Sequence, residues 1–185
     1  KSIVALFNNK LVSFNFYHLK STDLIFRDET MEEKQIKVKN FKSYLNQLKL
    51  NNIILDQAKR RNIIISKFNK ICNSRKLKNN FNEKLVEEVS NLVSNPNILI
   101  GKFDKIFLKI PKEILVVTMQ QHQKYFPLFN HDNSLTNYFL IVTNSLDKKG
   151  YIKIGNERVV KARLSDASFF WEKNKKQNLI KQVGK

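Results

Sequence analysis

The sequence predicts an α+β fold, a mixed domain of short β-hairpins and sheet with several helices, spanning 1–185 as a single domain. Three observations predict it. Capped helical stripes follow Asn40, Asp56 and Asn82. Two β-rich pairs of runs flank the turn residues Asn8-Asn9-Lys10 and Asn130–Ser134. The chain has 185 residues with 42% hydrophobic content, enough for one sizeable core or at most two small domains.

In chain order, IVALF and LVSFNF around Asn8-Asn9-Lys10 have the spacing of a hairpin. An irregular stretch is expected next, followed by a short half-exposed strand in which Ile36 and Val38 alternate with lysines. Asn40 then caps a helix whose buried stripe is Phe41, Tyr44, Leu45 and Leu48. Asp56 opens a helix to about Lys76, with Ile64, Phe68, Ile71 and Cys72 on one side and Lys59, Arg60, Lys67, Lys70 and Arg75 on the other. Asn82 caps a third helix with Leu85, Val86, Val89, Leu92 and Val93 on its stripe, stopped by Pro96.

Beyond Pro96 the texture changes from a basic helical section, about 40–95, to an α/β section, about 98–180. Ile98–Ile100 and Ile106–Ile110 read as strands. Pro111 suits the first position of a helix to about His122, although the ILVVT run alone would also suit a strand. Tyr125–Phe129 and Tyr138–Thr143 form a second hairpin pattern around the NHDNS turn. A closing helix over 155–177 carries Val160, Leu164, Ala167 and Trp171 as its core stripe, with Asp166 one turn from Arg163.

The net charge is +18, and its distribution is uneven. Residues 34–82 hold 13 Lys/Arg against the single acid Asp56, a net of +12. Residues 148–185 hold 11 against three acids, a net of +8, and the remainder of the chain sums to −2. Two segments therefore carry all the excess, as an electrostatic footprint for a polyanion would. The competing explanation is compositional: a chain rich in Lys, Asn and Ile loads any surface with lysine.

Other chemistries find little support. The four glycines lie singly at 101, 150, 155 and 184, so no phosphate-cradling glycine loop is present. Cys72 is the sole cysteine, which excludes an internal disulfide and a cysteine-based zinc site. His18, His122 and His131 lack metal-ligand spacing. No stretch reaches the roughly 20 apolar residues of a membrane helix, and a reducing cytoplasm is the expected setting. The chain starts on Lys1 and stops at Gly184-Lys185 just after a helical pattern, so it reads as a piece of something longer. FRDE at 26–29 fits the Phe-Arg-x-Glu pattern with which class II aminoacyl-tRNA synthetases grip ATP. GNER at 155–158 faintly resembles the arginine motif that completes such a site. The supporting strands and glycines are missing, so neither string is assigned catalysis.

The C-terminal third is more specific. Thr118-Met119, Gln123–Pro127, the Phe139–Asn144 strand, Gly155–Val160, Arg163–Ala167 and Phe169-Phe170 follow one another in order over about 65 residues. Together they resemble the β subunit of the bacterial two-subunit glycyl-tRNA synthetase. The likeness continues more loosely upstream, in IVALF, in Tyr44…Leu48…Ile54…Asp56…Arg60 and in LVEEVSNLVSNP. The FRDE string departs from it, because the family tends to carry a His-Arg-Phe stretch there.

The resemblance implies a domain similar to the B3/B4 region of the phenylalanyl-tRNA synthetase β subunit. It implies a tRNA-binding and structural role, with tRNA(Gly) and the α subunit as partners. It places the ATP- and magnesium-dependent chemistry on that α subunit, so no cofactor is expected in this piece. The candidate RNA-binding residues are Lys59, Arg60, Lys67, Lys124, Arg158, Lys161 and Arg163; no catalytic residue or metal ligand is assigned. Arg158 and Lys161 have the alternative of pairing with Glu157 or Asp166, and Gln123-Lys124-Tyr125-Phe126 that of hairpin core. Phe169-Phe170-Trp171 would anchor the closing helix in the core. Two further roles compete: a hydrolytic editing domain for mischarged tRNA, less needed where glycine is the smallest substrate, and a pure interdomain interaction module.

Overall fold

The structure, a computed structural model, describes residues 3–29, 32–78, 80 and 82–176. It is a mixed α+β protein with five α-helices and small sheets among the described residues. The residues fall into two compact units, 1–55 and 56–185, so the basic section expected over 40–95 has parts in both.

The first unit opens with β1 (Ile3–Val4), β2 (Leu6–Phe7) and β3 (Lys10–Leu11). β2 and β3 form the expected hairpin, Leu6 opposite Leu11 and Phe7 opposite Lys10. Asn8 and Asn9 both take positive φ, 47° and 61°. A two-residue loop needs that backbone to match strand twist, and asparagine tolerates it.

β4 (Asn15–Phe16) ends the LVSFNF run, and the stretch expected to be irregular after it is in fact strand: β5 (Leu19–Thr22) and β6 (Leu24–Glu29). β5 lies between β1, parallel to it, and β4, antiparallel to it. What organises this stretch is the buried Ser21, whose hydroxyl accepts the Phe14 N–H at 2.9 Å and donates to the Val12 carbonyl at 2.7 Å. β6 pairs with β7 (Glu32–Lys37), so Ile36 lies in the expected strand, facing Ile25. The backbone of the FRDE string runs in β6; its side chains lie outside the described residues.

α1 (Phe41–Leu50) has a capping box. Asn40 Oδ1 accepts the Ser43 N–H at 2.8 Å, and Ser43 Oγ accepts the Asn40 N–H at 3.0 Å, satisfying two end groups reciprocally. The predicted stripe is largely corrected, because Leu48 alone on this helix is buried while Phe41 is 70% exposed.

The second unit is built on both faces of a three-stranded antiparallel sheet. α2 (Gln57–Arg75) and α3 (Glu83–Leu92) begin at Asp56 and Asn82, whose side chains accept the N–H groups of Lys59 and Leu85. The sheet follows in the order β8 (Asn97–Lys102), β10 (Leu135–Thr143), β9 (Phe126–Phe129). Alternate residues of β10 point to opposite faces. Phe139 and Ile141 join a core with Val160 and Leu164, whereas Tyr138, Leu140 and Val142 join a second core with Ile64, Phe68, Leu85 and Val89. This double burial is why YFLIVT reads as one unbroken apolar run. Phe68 and Phe126 meet edge-on in the second core, ring centres 4.7 Å apart.

The predicted strand at Ile106–Ile110 is instead a 3₁₀ helix over Lys105–Lys109. Phe107 and Ile110 are buried and Ile106 is 64% exposed, a spacing of three rather than two. The helical alternative at Pro111 is the one adopted. Pro111 immediately precedes α4 (Lys112–Val117), which widens into a π turn over Thr118–His122. Lys124 then takes a positive φ of 58°, and the Tyr125 N–H returns to the Met119 carbonyl at 3.0 Å. Of Gln123-Lys124-Tyr125-Phe126, read as hairpin core, Tyr125 and Phe126 enter the core, whereas Gln123 and Lys124 are only partly buried. In the hairpin turn Asp132 accepts the N–H and hydroxyl of Ser134, and these bonds hold its carboxyl below the ordinary carboxylate range.

The closing helix, α5 (Tyr151–Lys176), starts a turn earlier than expected. Asp147 explains it, because its carboxylate accepts the N–H groups of Ile152 at 3.2 Å and Lys153 at 2.8 Å. Gly155 thus lies inside the helix, with open space where a Cβ would stand. Gly155→Ala is therefore expected to stabilise the chain by about 0.5–1 kcal/mol. A urea midpoint that stays put or falls would count against this placement. Val160 and Leu164 are buried as predicted, but Trp171 is only partly buried, and Phe169 and Phe170 are 64% and 58% exposed. The three aromatics do not anchor the helix end as a group.

Candidate nucleic-acid interface

Three of the four candidate cations outside α5 are committed to the protein itself. Arg60 Nε donates to the Ser90 carbonyl at 2.8 Å, one of the last carbonyls of α3, which a helix leaves without an internal partner. Lys67 Nζ donates to the Pro96 carbonyl at 2.7 Å. Lys124 pairs with Glu88 at 2.8 Å. Lys59 is exposed, in a shallow groove along α2 shared with Asn62, Ser66 and Lys67.

On α5 the candidates separate. Arg158 and Lys161 line a cleft of about 420 Å³, which Arg163 does not reach. The Arg163–Asp166 pair expected from sequence is not formed among the described residues; both are exposed. Lys161 pairs instead with Asp104, 57 positions away in sequence, at 3.2 Å. Arg158 has no ion-pair partner among the described residues, neither Glu157 nor Asp166.

The cleft follows from how the sheet ends. β8 is an edge strand, so its outward N–H groups need partners from elsewhere. Glu157 supplies one, its carboxylate accepting the Lys102 N–H at 2.9 Å while standing 3.9 Å from Lys153 Nζ. The β10–β9 register shifts between Leu135 and Phe139, and Thr136 Oγ1 fills the irregularity by donating to the Leu128 carbonyl at 2.7 Å. Asn137 falls within that shift. Its amide donates to the Phe103 carbonyl at 2.9 Å, and its own carbonyl accepts the Phe103 N–H at 3.0 Å. Nearby, the hydroxyl of Tyr125 donates to Asn156 Oδ1, tying the hairpin to α5; burial pushes that phenol up.

Around this opening stand Lys102, Lys105, Arg158 and Lys161 against Asp104 and Glu157. Lys102, Lys105 and Asn137 escaped the sequence reading because they lie outside the two basic segments. The signal was the GKFDK string at 101–105, with two lysines bracketing the end of a strand. Among the described residues no group of three His, Cys, Asp or Glu is placed to hold a metal ion, and no helix is long and apolar enough to cross a membrane.

The chain is thus a mixed α+β protein with candidate cations on α2, on α5, at Lys124 and at the end of β8. The model of the glycyl-tRNA synthetase beta subunit family matches residues 1–185, and the chain belongs to that family. It is 35% identical over 186 residues to a glycine–tRNA ligase beta subunit of Rickettsia akari, covering 100% of this chain and 28% of that protein. The corresponding protein of Dictyoglomus thermophilum is 36% identical over 184 residues, covering 99% of this chain and 27% of the relative. That of Clostridioides difficile is 35% identical over 183 residues, with the same coverage. The chain therefore spans little more than a quarter of the length of these relatives.

Proposed function

We propose that this chain is a tRNA-binding and structural section of the β subunit of a glycine–tRNA ligase. In this reading the enzyme attaches glycine to tRNA(Gly) in the cytoplasm, with ATP and magnesium used on a separate α subunit. The observation that carries the reading is the family match over the whole of 1–185. The charge supports the RNA part of it, since segments 34–82 and 148–185 hold the entire positive excess. That the two units together make one domain similar to the B3/B4 domain of the phenylalanyl-tRNA synthetase β subunit belongs to the same proposal.

RNA binding by lysine-rich helices draws its affinity mainly from release of condensed counterions. Fluorescence anisotropy with labelled tRNA at two salt concentrations is the test. Weak, sequence-tolerant and steeply salt-dependent binding is expected. Lys59→Gln, which removes an exposed cation, should lower the slope of log affinity against log salt by about one unit and leave the fold intact. Arg60→Gln, by contrast, should cost stability, because it strips the Ser90 carbonyl of its donor. No measurable binding to any RNA at low salt would remove the RNA role and leave the +18 as compositional bias.

A further inference from the structure

The cleft beside α5 has features that a merely basic surface lacks. Its two carboxylates differ in their ties. Glu157 is held by the Lys102 N–H and faces Lys153, and its side chain is only 21% exposed. Asp104 precedes the 3₁₀ helix without making a capping bond, and its contact with Lys161 joins side chains 60% and 66% exposed. Such a pair is weak and exchangeable in water. An incoming anion can take Lys161 from Asp104 at little cost, and it meets the side chains of Arg158, Lys102 and Lys105, which pair with no carboxylate among the described residues.

The walls fit more than a bare anion. The 45% exposed Ile154 offers an apolar wall beside the cations, and about 420 Å³ falls in the range of small-ligand sites. Asn137 spends its amide N–H on the Phe103 carbonyl, and its Oδ1 has no protein partner among the described residues. That oxygen is an acceptor left for a hydroxyl. Cations for phosphate, an apolar wall for sugar and an acceptor for a hydroxyl are the complement of a ribose phosphate.

We propose that this cleft is a phosphate-binding site whose ligand is a phosphodiester of an RNA strand, gripped by Arg158 and Lys102 and by Lys161 once Asp104 is displaced. This rests on the RNA reading above and assigns it a place. The size of the Asp104 effect separates the proposal from generic charge: neutralising Asp104 strengthens binding more than neutralising Glu113, an exposed acid on α4 outside the cleft, although each change removes one negative charge. Losing Arg158 or Lys102 weakens binding, whereas neutralising Asp104 strengthens it, because the competitor for Lys161 is gone.

The experiment measures anisotropy of a labelled single-stranded RNA 12-mer, and of a DNA of the same sequence, with the 185-residue chain at two salt concentrations. Arg158→Gln and Lys102→Gln are each expected to lower the salt slope by about one unit. Asp104→Asn should bind RNA several-fold tighter, whereas Glu113→Gln, the same loss of charge outside the cleft, should change the affinity much less. Asn137→Ala should narrow the preference for RNA over DNA. If wild type binds RNA and Lys59→Gln lowers the slope while these cleft variants change nothing, the cleft assignment is wrong and the RNA reading stands. If wild type ignores RNA but binds adenosine monophosphate with this same pattern, the cleft is a nucleotide site and the RNA assignment is overturned.

Discussion

Gly101→Ala lowers the stability of the second unit by about 3 kcal/mol, the upper part of the range for overpacking a core. Gly101 is buried in β8 directly opposite Phe139 of β10. A Cβ built there meets the Phe139 ring at 2.5–2.9 Å, closer than packed carbons approach. The ring cannot give way easily. Phe139 is fully buried, with Tyr125 and Phe103 rings 5.1 and 6.4 Å from it. Separating the strands instead would stretch the β8–β10 ladder on both sides of the residue. The mechanism has a checkable signature. Phe139→Leu alone opens a cavity and costs stability, but in the Gly101→Ala background it relieves the clash, so the double variant should lose clearly less than the sum of the singles. Trp171 fluorescence during urea unfolding reports the transition, since this sole tryptophan packs against the Phe139 core. Strict additivity would mean that Gly101 is needed for another reason.

The two testable glycines show what sequence can and cannot tell. Both stand alone among non-glycine neighbours, yet Gly155 faces open space and Gly101 faces an aromatic ring 38 positions away. The local chemistry was legible. Asn40, Asp56 and Asn82 cap the helices predicted after them, because a capping side chain acts on backbone within three residues. The NHDNS turn was legible for the same reason, with Asp132 holding Ser134 two residues on. The first unit was legible only in its opening hairpin, its Ile36 strand and the capped α1. Its strands are two to six residues long, too short for alternation to build a pattern, and its organising contact is a polar one through Ser21. The candidate site was half legible. Charge pointed to Arg158 and Lys161, but the Asp104 partner, the Glu157–Lys102 bond and the β10 irregularity that carries Asn137 depend on tertiary pairing over long separations.

The other large effect lies on α5, where the sequence groups Leu164 with the following aromatics and the structure separates them. Leu164→Ala is expected to cost about 3–4 kcal/mol, as for a fully enclosed leucine that leaves a cavity. Leu164 has no exposed surface and belongs to the core of Phe139, Ile141, Met119 and Val160, between a sheet and two helices, so collapse around the gap is hindered. Phe170→Ala removes twice as many heavy atoms yet should cost under about 1 kcal/mol, because Phe170 is 58% exposed and its edge-on neighbour Phe169 is exposed too. Trp171 falls between: partly buried against the same core, it should lose less than Leu164 despite its bulk. Urea midpoints of the three alanine variants rank these costs directly. The order Leu164, then Trp171, then Phe170 follows from enclosure, whereas an order following side-chain size would mean that the aromatic end of α5 is packed in solution as the sequence pattern first implied.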